Sequence, residues 1–111
     1  MRIAVSVLAI LFALLHIIAA VAQFKSKDSA ARGSASIMLC GSAALICSVA
    51  THLHDSGVGS QIAVLSTAVC GFLLICFAAY LNGRRSGKVH LSHHAVRCGI
   101  AILLVVGLFL W

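Results

Sequence analysis

The sequence predicts an all-α fold: an integral membrane four-helix bundle with antiparallel, up-down topology and both termini on the outer side. Three observations predict it. Apolar residues make up 62% of the 111-residue chain and charged residues only 9%, with a mean hydropathy of +1.14. The apolar residues gather in four stretches, each close to the length that crosses a hydrocarbon core of about 30 Å. Short polar connections separate those stretches. A water-soluble domain carries about 25% charged residues, and one with so few would expose apolar surface and aggregate. Lipid is the solvent this composition fits. At this length a single domain, residues 1–111, is expected.

The first span covers about residues 3–24, interrupted only by Ser6, His16 and Gln23. Arg2, the apolar run and Ala20-Val21-Ala22 before Gln23 have the outline of a cleaved leader. The apolar run is about 20 residues, longer than the apolar region of a leader, so a retained helix is expected. The second span covers about 34–54 and the third about 61–81. The fourth, about 93–111, is the weakest. From Cys98 onward only 14 residues remain, a rise of about 20 Å. To cross, this helix must draw His93, His94 and Arg97 into the membrane. Trp111 suits an interfacial anchor. Proline is absent, so nothing forces a kink or a broken helix.

The net charge of +6 does not signal nucleic acid, because no aromatic side chains interleave with the cations to stack bases. Six of the eight basic residues instead sit in the first and third connections: Lys25, Lys27, Arg32, Arg84, Arg85 and Lys88. Alternating spans put those two connections on one side, with only Arg2 opposite. The positive-inside rule makes that side cytoplasmic and puts both termini outside. A multi-pass protein of the cell membrane is expected.

Helices in lipid associate through small residues and polar bonds rather than apolar burial. The first span offers Ser6, Ala9, Ala13, His16 and Ala20 on one face. The second offers Ser36, Cys40, Ala44, Ser48 and His52; the third Ala63, Thr67, Gly71 and Ala79; the fourth Gly99 and Gly107. These faces are expected to meet inside the bundle, or one of them to pair with a second copy. Cys40, Cys47, Cys70, Cys76 and Cys98 all fall in apolar spans without a C-x-x-C pair, and are expected as packing residues.

The chemistry-bearing residues cluster at the start of the fourth span. His90, His93, His94 and Arg97 at i, i+3, i+4 and i+7 share one helical face. His16 and Arg97 fall at similar depth in their helices, and an ionisable residue within a span is a candidate functional site. One reading is a snorkelling Arg97 with interfacial histidines that seat the fourth helix in the headgroup layer; a second is a pocket in which Arg97 and the histidines bind a lipid phosphate or carboxylate. His90 and His94 at i, i+4 also suit a metal or haem. His90-x-x-His93-His94 resembles, over five residues, one histidine box of the membrane di-iron desaturases. The other boxes are missing, so that activity is not carried over. A second polar group, His52, His54 and Asp55, ends the second span on the opposite side and is expected as an outer interfacial group.

Three functional readings follow. The first is a non-enzymatic, self-associating or accessory helix bundle whose basic cytoplasmic face binds anionic lipid or a partner protein, with Arg84, Arg85 and Lys88 as the contacts. It needs no cofactor. The second is a small transporter or channel working as a homo-oligomer, with His16 and Arg97 lining the pathway. In length and span number the chain is similar to the small multidrug resistance transporters, which work as dimers. That resemblance implies proton-coupled exchange through a carboxylate in the first helix. This chain has no Glu, and Asp28 and Asp55 lie in or beside connections, so His16 would have to carry the proton. The third is a haem or metal carrier using His90, His93 and His94. No enzymatic activity is expected, since an embedded acid, a nucleophile motif and a phosphate loop are all missing.

Overall fold

The computed structural model describes residues 2–54, 57–87 and 91–110. They form four helices: α1 Arg2–Phe24, α2 Ser29–His54, α3 Val58–Arg85 and α4 Leu91–Leu110. Each is long and apolar enough to cross a membrane, with mean hydropathies of 2.7, 1.7, 2.5 and 1.9 in chain order. The chain is thus a small polytopic membrane protein. The bundle measures 44 × 25 × 20 Å, so its long axis matches a bilayer with its headgroups, about 40–45 Å.

The helices outrun the apolar spans at the polar end. α2 starts at Ser29 rather than near 34 because Asp28 caps it: Oδ1 accepts the Ala30 N–H at 2.9 Å, and the Asp28 carbonyl accepts the Arg32 N–H at 3.2 Å. An aspartate at this position satisfies backbone donors that the first turn leaves open. α3 continues to Arg85, four residues past the apolar run.

Sequential helices are antiparallel neighbours, and contact is most extensive between α2 and α3, then between α1 and α2. The α2–α3 crossing is set by two facing glycines. A Cβ built on Gly41 would stand 2.7 Å from the Gly71 carbonyl oxygen, and one on Gly71 equally 2.7 Å from that of Gly41. Only glycine permits so close an approach of two backbones. Near the other end, Ser48 Oγ donates to the Val64 carbonyl at 2.7 Å across the same pair. The core between these contacts holds Ala9, Phe12, Ala13, Leu45, Val49, Ala68, Phe72, Ile75, Ala101, Leu104 and Leu108. Phe12 meets Phe72 edge-on with ring centroids 5.3 Å apart.

α1 buries Ser6, Ala9, Ala13, His16 and Ala20, the face its small residues mark. α2 differs from expectation. Ser36 and Cys40 face outward, while Ala31, Ser34, Ala35, Met38, Gly41, Ser42, Leu45, Ser48, Val49 and His52 face inward. Small residues surround α2 on every side, so their spacing does not single out the inner face. On α3, Gly71 and Ala79 are buried but Ala63 is exposed. The cysteines are not core packing: Cys40, Cys47, Cys70 and Cys98 are exposed and Cys76 is partly so. As weakly polar, small apolar groups they are tolerated on a lipid-facing surface.

α4 is docked by half its length. Its buried residues, Ala101, Leu104 and Leu108, all belong to the C-terminal part. There Gly107 comes against Val5 of α1, whose Cγ1 would lie 3.0 Å from a Cβ on Gly107. A Cβ on Gly99 would meet nothing within 4 Å. The N-terminal part of α4 keeps contact with α3, where Tyr80 meets His94 edge-on at 6.3 Å, but contributes no buried residue, and a wedge opens between it, α1 and α3.

Candidate functional site

The wedge is a cleft of about 720 Å³, lined mainly by α1, α3 and the first turns of α4. Its volume falls within the range of about 300–1,000 Å³ common for small-molecule sites. It lies at the end of the bundle where α1 finishes, α2 begins, α3 finishes and α4 begins, the end that carries the basic connections.

A polar knot joins three helices at this end. Ser34 Oγ of α2 lies 2.6 Å from Asn82 Oδ1 of α3, 3.0 Å from the Ala31 carbonyl and 3.3 Å from Gln23 Oε1 of α1. The hydroxyl has one proton, and the shortest contact takes it. Asn82 Nδ2 then donates to Gln23 Oε1 at 2.9 Å. Gln23 accepts through Oε1, which leaves its NH₂ group as a donor on the cleft wall. Beside the knot, Arg85 Nε pairs with Asp28 Oδ2 at 3.2 Å, tying the end of α3 to the start of α2.

His16, His93, His94 and Arg97 all line this one cleft. His16 is held from within its own helix. Its Nδ1–H donates to the Phe12 carbonyl at 2.7 Å, and its ring lies 4.3 Å from that of Phe12. That bond fixes the proton on Nδ1 and leaves Nε2 for other partners. His94 is half-buried, oriented by an edge-on contact with Tyr80 at 6.3 Å. Arg97 is also half-buried and near enough to His16 to act on it electrostatically. Phe12, Leu15, Ala19, Met38 and Ile100 make the apolar part of the wall. Phe12 also belongs to the packed core of the bundle.

The remaining sequence-derived candidates separate into groups. Arg84 is exposed beside the cleft and Arg85 is on its lining. His52 is buried and His54 exposed at the far end of α2, about 20 Å of helix beyond Met38 on the cleft wall. Lys88, His90 and Asp55 lie outside the described residues. Among the described residues no group of three or more His, Cys, Asp or Glu side chains is placed to hold a metal ion. The residues that sequence reading misses here are Gln23, Ser34, Asn82 and Asp28. Their signal was available: amides and a serine at the same-side ends of spans expected to be neighbours. No protein-family model, curated protein or solved structure matches the chain.

Proposed function

We propose that this chain is a non-enzymatic membrane helix bundle that engages anionic lipid at its basic end, and that this end faces the cytoplasm. One observation carries the reading. Lys25, Lys27, Arg32, Arg84 and Arg85 are all exposed at the same end of the bundle, and Asp28 is the one acid described there. Each Lys or Arg near an anionic surface contributes about 1 kcal/mol of attraction, within a Debye length. The positive-inside rule supports the same orientation.

The test reads the lipid that accompanies the protein. The chain is extracted with its surrounding bilayer in polymer-bounded discs, and the co-extracted lipids are quantified by mass spectrometry. The anionic share is expected to exceed that of the parent membrane and to drop when Arg84→Glu and Lys88→Glu are combined. An unchanged lipid profile in the double variant, with helicity intact, contradicts the proposal.

A further inference from the structure

We infer that the wedge between α1, α3 and α4 binds one amphipathic phosphate, with its headgroup at Arg85 and Arg97 and its hydrocarbon chain leaving sideways between α1 and α4. This rests on the reading of the basic end as lipid-binding, and narrows it to one site and one ligand class.

Charge is the first ground. The chain has two acids in all, Asp28 and Asp55. Asp28 is engaged by Arg85, and Asp55 follows the far end of α2. Among the described residues no carboxylate lines the cleft. Arg97, six residues into α4, is a half-buried cation on a span with no carboxylate partner among the described residues. Such a charge is costly in a low-dielectric setting unless an anion accompanies it. The ligand supplies that anion.

Geometry is the second ground. Donors approach from three helices: the Gln23 amide on α1, the Arg85 guanidinium on α3, and Arg97 with His94 on α4. Donors distributed around a volume suit the tetrahedral oxygens of a phosphate better than a planar carboxylate. The apolar wall is the third ground. Leu15, Ala19 and Ile100 line the cleft and are exposed on the bundle surface. α1 and α4 meet at Val5 and Gly107, whereas Leu15 and Ala19 on the α1 wall and Ile100 on the α4 wall of the cleft are exposed. The wedge is therefore open to the membrane interior along its side, which a free phosphate ion has no use for and an acyl chain does.

The experiment is native mass spectrometry of the full-length protein in a non-ionic detergent, titrated with phosphatidylglycerol. A single tightly held lipid per chain is expected. Arg97→Gln is expected to weaken it about tenfold or more, the worth of a charged hydrogen-bonding partner, with Arg97→Lys recovering part of the loss. Ala19→Phe fills the apolar wall without altering any charge, and should weaken lipid binding as well. Inorganic phosphate should not displace the lipid. Combined Arg84→Gln and Lys25→Gln, both exposed and off the cleft lining, should leave it bound.

Wild-type binding in both Arg97→Gln and Ala19→Phe overturns the inference. So does complete displacement by inorganic phosphate, which makes the site one for a free anion. Loss in Arg97→Gln alone overturns the path given to the chain. Loss only in the Arg84, Lys25 double variant places the lipid on the exposed rim: the inference then fails and the proposed function stands. If no variant changes lipid binding, both fail. Helicity by circular dichroism verifies that each variant is folded.

Discussion

Asp28 makes two separable interactions, and single substitutions can tell them apart. Its side chain caps α2 through Ala30 and pairs with Arg85. The pair is 37% and 47% exposed on its two side chains, and exposed pairs contribute little. The cap is worth about 1 kcal/mol. Asp28→Asn keeps a capping oxygen and should leave stability almost unchanged, whereas Asp28→Ala should lower it by about 1 kcal/mol. Unfolding in detergent followed by helicity measures both; equal stability of the two variants contradicts the assignment of the cap. Gly41 is the other informative residue. Gly41→Ala forces a Cβ to within 2.7 Å of a backbone oxygen, so α2 and α3 must separate and the variant should be markedly destabilised. Gly33→Ala, with nothing within 4 Å, is the matched control and should not destabilise, gaining up to about 1 kcal/mol from helix propensity. At this scale the ionisable members of the site are legible, because His16, His93, His94 and Arg97 stand out in apolar runs. Gln23 and Asn82 are not. An amide at a span end reads as a boundary until the fold shows it bonding to another helix.

Among the elements, α1 and α4 are legible in different ways and α2 is not. α1 carries Ser6, Ala9, Ala13 and Ala20 on one face among large residues, and that face is the buried one. α4 betrays itself by strain: a short apolar run preceded by two histidines and an arginine. The structure resolves that strain by burying only residues of the apolar C-terminal part, while the polar part touches α3 through His94 and borders the cleft. α2 is small-residued all round, so periodicity cannot rank its faces, and the Gly41–Gly71 contact decides the matter instead. Two outcomes follow for α4. Gly107→Leu, driven against Val5, should loosen the helix and lower thermal stability in detergent, while Gly99→Leu should be tolerated. Hydrogen exchange should be faster over 91–97 than over 101–108, since buried contacts protect only the latter. Equal exchange over the two halves contradicts half-length docking.

For the whole molecule, the four spans and the alternation of the connections lead to one spatial statement. The first and third connections lie together at a basic end, with the second connection a membrane thickness away. Composition makes the membrane setting legible, and charge placement is the ground for the proposed orientation. The wedge is not legible at this level, because a cavity depends on where a helix fails to pack, and no residue pattern records that. The orientation is tested most directly by thiol labelling in intact cells with a membrane-impermeant reagent, in a background with the five native cysteines replaced. Single cysteines are introduced as Ser26→Cys, Ser86→Cys and Ser60→Cys. The expected result is that only Ser60→Cys reacts from outside, while Ser26→Cys and Ser86→Cys react only after the membrane is opened. Reaction of positions 26 and 86 from outside with position 60 protected would contradict a basic end in the cytoplasm, and reaction of 26 and 86 from opposite sides, or of 60 from the same side as either, would contradict the four-span bundle itself.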